Sequence, residues 1–344
     1  MSPEFTPAPD TPDAALHITD AAQLPAAVPY LLGFHPDESV VIVGLHDGEV
    51  LVTIRVDLAD AIDDDMSSPA LADAIGVAAR AGVDAMVALV FSDVPVRLRR
   101  MPHRAVVNAI GTEAGFYGCA LLDVLVVRRD RWWSFVCADL ECASCTDEGE
   151  PVDRPGSTLA AEATYAGMVA LPSRTDVLAL LDPMPDRARL EPLVAEHENA
   201  MVQAALDGHA RRQERGATRA IFAAARAVDA GEGPVSDERA ARFGVALSTL
   251  PVRDAVWLAV DAGRLGGREL WRDLARRLPE PYDAAPLFLV GWSAWRAGNG
   301  VLARAAAERA TQSDPGYGAA DLLLAAITHG LDPRRMPKLR ARSA

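Results

Sequence analysis

Four cysteines in 344 residues are too few for a disulfide-built scaffold, so the fold has to rest on a hydrophobic core. Hydrophobic residues make up 50% of the chain, which excludes a disordered polymer, and at ~150 residues per domain the length suggests two domains. No run approaches the ~20 apolar residues of a membrane-spanning helix. The longest, 83–91 and 287–295, are interrupted or bounded by polar residues and proline and read as core elements. Residues 1–14 are rich in proline and acid, lack the apolar stretch of a secretory signal, and are expected to form a disordered tail. These absences place the chain in the cytoplasm, with no membrane among its expected partners. Lysine is nearly missing, with Lys338 alone, so arginine carries almost all positive charge; codon bias produces that composition and no function follows from it. There is neither a Gly-x-Ser-x-Gly nucleophile elbow nor a phosphate-binding loop. The glycines at 111, 115 and 118 follow an expected helix, where a nucleotide-binding turn would follow a strand.

Charge is unevenly spread over the formal net of -14: residues 1–150 hold 24 acidic residues against 9 arginines, a net of -15, and the remainder is close to neutral. A field of that sign repels nucleic acid and phosphate-rich ligands unless a local basic pocket or a metal intervenes. A protein partner is therefore expected before nucleic acid. The segment 331–344 is a basic tail carrying Arg334, Arg335, Lys338, Arg340 and Arg342. It reads either as an electrostatic contact or as a solvated chain end.

Helical turns over 20–33, capped by Thr19 or Asp20, are expected to be broken at Pro25 and Pro29 and stopped by Gly33. The β-branched run 39–45, the Asp47-Gly48 turn and the alternating stretch 50–57 read as a hairpin. A helix over 69–81, a strand over 83–91, a helix over 102–114 and a strand over 121–127 follow, with a second hairpin turning at 128–131 into a strand over 132–137. This pattern predicts a mixed α/β sheet with hairpins, covered by helices, over residues 15–150. Residues 151–330 read as an all-α domain, with helices over 158–169, 173–181, 187–228 (breaking near Gly208 or Gly216), 237–247, 252–262 and 268–278, and more up to His329. The boundary is expected in 146–157 or near 183–186. Pro281 and Pro315 lie 34 residues apart, the period of the tetratricopeptide repeat, and Gly291, Ala303 and Ala310 occupy small positions where its helices cross closely. Repeat-like helix pairs are accordingly expected over about 250–330, although Ala294 and Ala307 stand at its usual aromatic positions.

Three places carry candidate chemistry. The loop Gly33, Phe34, His35, Pro36, Asp37, Glu38, Ser39 displays an imidazole, two carboxylates and a hydroxyl at a sheet edge, and Pro36 extends His35. It suits acid–base work or ligand contact, or a purely structural turn. Cys137, Cys142 and Cys145 have partial zinc-ligand spacing, with Asp139, Glu141 or His103 available as a further donor; zinc is the one candidate cofactor. A redox pair or simple burial are the competing readings. Trp292 and Trp295 are candidates for a partner surface on the helical part. The acidic run at Asp57, Asp60, Asp63, Asp64 and Asp65 lacks calcium-loop spacing, and Trp132-Trp133 beside arginines suggests base stacking against an unfavourable field.

With the segment 29–43 (PYLLGFHPDESVVIV), Arg55-Val-Asp-Leu58, and the Cys137 cluster leading to Gly149-Glu-Pro151, the chain resembles an actinobacterial family, domain of unknown function family 4192. The likeness extends to Gly298-Asn-Gly300 and Asp314-Pro-Gly-Tyr317. Members carry an adjacent cysteine pair, whereas here Ala143 and Ser144 separate Cys142 from Cys145. The resemblance supplies no reaction or cofactor. The leading expectation is a non-enzymatic binding or scaffold protein with a helical partner surface. The alternative is a small-ligand-binding enzyme or sensor using the Gly33–Ser39 loop, with or without a metal at Cys137, Cys142 and Cys145.

Overall fold

Asp20, the first described residue, accepts the Ala22 N–H at 3.0 Å, and α1 (Leu24–Leu32) follows. The prolines do not break it: Pro25 sits in the first turn, where the N–H would be an orphan anyway, and the helix continues through Pro29 to Gly33, which ends it at φ 83°. The structure, a computed structural model, describes residues 20–63, 66–139, 146–152, 159–165 and 168–339.

The run at 39 becomes β1 (Ser39–His46), which Asp47 and Gly48 turn into the antiparallel β2 (Glu49–Asp57). Both turn residues have positive φ, 51° and 83°, as a two-residue turn matching the strand twist demands. A short pair, β3 (Ile62–Asp63) and β4 (Met66–Ser67), leads to α2 (Pro69–Arg80), whose N-terminus is capped by the Ser68 hydroxyl accepting from Leu71 N–H. Then come β5 (Ala85–Phe91), α3 (Arg104–Phe116) and β6 (Ala120–Arg128), with β5 and β6 parallel. The sheet finishes with β7 (Arg131–Ser134) and β8 (Glu150–Pro151), in the order β2-β1-β5-β6-β7-β8. It is buried on both faces: Val40, Ile42, Ala88 and Val126 pack with α2 and α3, while Val41, Val43, Leu89 and Leu125 on the reverse face are equally sealed.

The second hairpin is shorter than expected. Strand β7 stops at Ser134, and residues Phe135–Asp139 form α4 instead of continuing the strand to 137. Asp123 causes the change by accepting from the Ser134 hydroxyl and the Val124 and Val136 N–H groups, and Ser134 Oγ in turn accepts the Cys137 N–H. Burial pushes the Asp123 carboxyl up, against those hydrogen bonds. Trp132 and Trp133 are both buried, so they form no stacking platform; Trp133 Nε1 donates to the Asp147 carbonyl at 3.2 Å.

The chain divides into two compact units, residues 1–173 and 174–344, a division lying between the two loops where the sequence places a boundary. Helix α5 (Leu159–Tyr165), shorter than expected, belongs to the first unit and packs with α1. Unit 2 contains α6 (Arg174–Ala179), α7 (Glu191–Leu206), α8 (Ala210–Asp229), α9 (Asp237–Leu247), α10 (Leu250–Asp261), α11 (Arg268–Arg277), α12 (Ala284–Arg296), α13 (Gly300–Ser313) and α14 (Gly318–Thr328). The break in 187–228 falls at Gly208, φ 73°. Helices α12 and α13 pair closely because Gly291 is small: a Cβ there would stand 3.1 Å from the Ala303 carbonyl oxygen. A mixed sheet followed by a run of helices is thus what the chain forms. Among the described residues no single helix is long and apolar enough to cross a membrane.

The basic tail is not a solvated end as far as Leu339. Arg296 donates to the carbonyls of Pro333, Met336 and Pro337, while Asp261 accepts from Arg296 Nε, Trp292 Nε1 and the Leu339 N–H. Residues 340–344, with Arg340 and Arg342, lie outside the described residues.

Candidate functional site

In unit 1 the loop from Gly33 to Ser39 is built mainly as a brace. Phe34 is buried and pairs with Leu171, whose carbonyl accepts the His35 N–H at 2.9 Å and whose N–H donates to the Gly33 carbonyl. Pro36 is half-buried, and Asp37 turns its carboxylate back to accept the Glu38 N–H. His35 stays exposed. Ser39 is completely buried, and its Oγ finds no partner among the described residues.

The residue that joins this loop to the sheet edge is Glu38, strained at φ 33°. Its carboxylate accepts from the Asp93 N–H at 2.8 Å and from the Ser92 hydroxyl at 3.4 Å, and its carbonyl accepts from Leu58. These contacts fasten the loop before β1 to the loop after β5. His103, at φ 61° before α3, closes that second loop. Burial lowers the pKa of His103 and the nearby Glu38 carboxylate opposes the shift, so the imidazole is neutral at pH 7. Its Nε2 is buried without a partner among the described residues.

Between Asp93 and His103 lies a feature that the sequence reading passed over. Arg97, Arg99 and Arg100 occupy one 3-10 turn in the loop between β5 and α3, all exposed, lining an open cleft of about 500 Å³ with Leu98 and Asp147. The signal was present as Arg97-Leu-Arg-Arg100 inside an acidic half-chain, a contrast that an averaged charge conceals. Asp147 accepts the Leu98 N–H at 2.8 Å and so holds the turn in place.

The cysteine cluster is only partly placed. Cys137 is half-buried on α4 with a free thiol, Cys119 is buried, and Cys142 and Cys145 lie outside the described residues, as does the side chain of Asp139 and all of Glu141. Among the described residues no group of three or more metal-donor side chains converges.

Trp292 and Trp295 offer no partner surface, since both are buried. They stack in a cluster with Trp257, Phe288 and Tyr317, and Trp292 is further held by Asp261. Large rings bury more apolar area than any other side chain, which explains why α12 turns them inward.

What unit 2 does offer is a cleft of about 250 Å³ between α7, α8, α9 and α10, lined by Met201, Ala205, Ala217, Val245, Ala246 and Val252. His197, Gln213, Glu214 and Arg242 add polar groups. His197 Nε2 lies 2.9 Å from Glu238, and Gln213 Oε1 is buried without a partner among the described residues. Arg211, Arg212, Arg215 and Arg219 are exposed on the side of α8 turned away from the cleft, none of them paired with a carboxylate among the described residues, and the arginine in the cleft lining is the exposed Arg242 of α9. Val202 and Leu206 on α7 are exposed as well.

A family model described as a domain of unknown function (DUF4192) matches residues 22–334. The chain belongs to this family. The match runs through both units and takes in the Glu38 edge, the arginine turn and the helical cleft alike. No curated protein and no solved structure matches the chain significantly.

Proposed function

We propose that this chain is a non-enzymatic, cytoplasmic binding protein whose helical unit receives an acidic segment of a protein partner. One apolar side chain of that segment enters the α7–α10 cleft while a neighbouring carboxylate meets Arg242 in its lining. The observation that carries the reading is the cleft itself: a mainly apolar cavity of about 250 Å³ whose lining includes the exposed Arg242, which has no carboxylate partner among the described residues. A pocket for an apolar anchor inside a charged rim is the arrangement that concentrates binding energy at protein interfaces. Binding is favoured over catalysis because, apart from the exposed His35, the reactive groups of the 33–39 loop are either committed or sealed. Glu38 holds Asp93 and Ser92, Asp37 holds the Glu38 N–H, and the Ser39 hydroxyl is sealed from solvent.

Fluorescence anisotropy tests the reading with a labelled amphipathic peptide of glutamate, alanine and one leucine. The peptide should bind the full chain, and binding should weaken about tenfold or more when Arg242 is changed to Glu. Ala205→Trp, at an exposed position on the cleft lip, should have a similar effect by filling the cavity. Absence of binding, or binding indifferent to both changes, refutes the proposal.

A further inference from the structure

The turn Arg97–Arg100 is expensive to keep as it is. Three like charges sit within four residues, and the loop passes from β5 to α3, so repulsion among the guanidinium groups is relieved only by an anion or by water. No carboxylate among the described residues pairs with any of the three, although residues 1–150 carry a net charge of -15 and acids are plentiful. The one carboxylate lining the cleft, Asp147, is directed to the main chain: its Oδ1 accepts the Leu98 N–H, and its own carbonyl accepts Trp133 Nε1. Asp147 thus fixes the shape of the turn.

The location matters as much as the charge. Strands β5 and β6 are the parallel pair of the sheet, and the arginine turn lies in the loop that leaves the carboxyl end of β5, the kind of connection from which open α/β sheets build their ligand sites. The loop then runs into α3, a helix of 13 residues with no acidic residue in its first turn and no side-chain cap.

We propose that the cleft formed by Arg97, Leu98, Arg99, Arg100 and Asp147 binds a small phosphate-bearing molecule with two or more adjoining phosphate groups. Guanidinium groups match phosphate oxygens with paired, charge-assisted hydrogen bonds, and three of them offset much of the charge of a di- or triphosphate. A cleft of about 500 Å³ is of the size small ligands occupy. The acidity of the surrounding half-chain argues for a compact polyanion: an extended nucleic acid would have to lie along a surface that repels it, while a short polyphosphate meets only the local basic pocket. This inference is independent of the proposed role of the helical unit.

Isothermal titration calorimetry of the full chain in magnesium-free buffer at about 50 mM salt tests it, with inorganic triphosphate, ATP and a single-stranded oligonucleotide as separate probes. Triphosphate and ATP should bind with one-to-one stoichiometry. The triple variant Arg97→Gln, Arg99→Gln, Arg100→Gln, all exposed positions, should weaken that binding about 100-fold while leaving the circular dichroism spectrum unchanged. The matched triple Arg211→Gln, Arg212→Gln, Arg215→Gln on α8 should bind as the parent does. The inference is overturned if neither phosphate probe binds, if the α8 triple loses binding equally, or if the oligonucleotide binds more tightly than ATP through the same arginines. Binding of triphosphate without any gain from the adenosine of ATP supports the phosphate assignment and identifies the polyphosphate as the recognised part.

Discussion

Trp133 fits where it does because residue 149 has no side chain. A Cβ on Gly149 would stand 2.4 Å from the indole Cε2, and the residue also holds φ 69°, which L side chains rarely adopt. Gly149→Ala therefore combines a steric clash with backbone strain and should destabilise unit 1 by about 3 kcal/mol. A urea unfolding midpoint equal to that of the parent would contradict this. The same contact explains the neighbourhood: Trp133 reaches the Asp147 carbonyl, and Asp147 orders the arginine turn, so the glycine supports the anion cleft through the side chains of Trp133 and Asp147. Asp123 is a second residue with a large local effect, since three donors directed at one carboxylate convert the end of a strand into α4.

At the scale of elements, the joint between α10, α12 and the segment 333–339 responds to pH in a definite direction. Burial raises the Asp261 pKa, but the hydrogen bonds from Arg296, Leu339 and Trp292 and the Arg296 charge outweigh it, so the folded value lies below the ordinary carboxylate range. A lowered pKa contributes stability that is present above the unfolded value of ~3.9 and is lost as pH falls through the folded value. The Trp292 indole N–H resonance, which reports the bond to Asp261, should hold its position down to pH 4 and shift only below it. A midpoint at or above the ordinary range would refute the assignment. Asp123 and Asp283 work in the opposite sense. Their raised values, caused first by burial, give a contribution present below the unfolded pKa and lost as pH rises through the folded one.

The elements were also the most legible part of the sequence. The run at 39, the Asp47-Gly48 turn, helix α9 and the small residues Gly291 and Ala303 declared themselves because each depends on local periodicity or on a backbone angle few residues tolerate. The truncation of the second hairpin at Ser134 was not legible, because it depends on Asp123, eleven positions earlier in the chain but adjacent across the sheet. The candidate sites fared similarly. His35 stood out by residue type, yet Glu38 proves to be the member of that loop joined to the sheet edge, through Asp93 and Ser92 over fifty positions away. Trp292 and Trp295 drew notice as large aromatic residues, and only packing reveals that they face inward.

At the scale of the whole molecule, the order of the sheet decides how the protein behaves in concentrated solution. One edge, β8, is two residues long and includes Pro151, which has no N–H to donate. The other, β2, is nine residues long, and no strand pairs with its outer side among the described residues. A free edge of that length is a template on which a second copy can add a strand, and charge is the usual protection against it. Glu49, Arg55 and Asp57 supply that charge, Arg55 and Asp57 already joined at 2.6 Å. Replacing Glu49 and Asp57 together by Val should yield particles whose light scattering grows with concentration, while the parent stays monodisperse; monodisperse behaviour of the variant would show that the charges have no such part. On this view two carboxylates on a peripheral strand set the colloidal limit of the chain: they keep a sheet closed by proline at one end from becoming the seed of a fibre at the other.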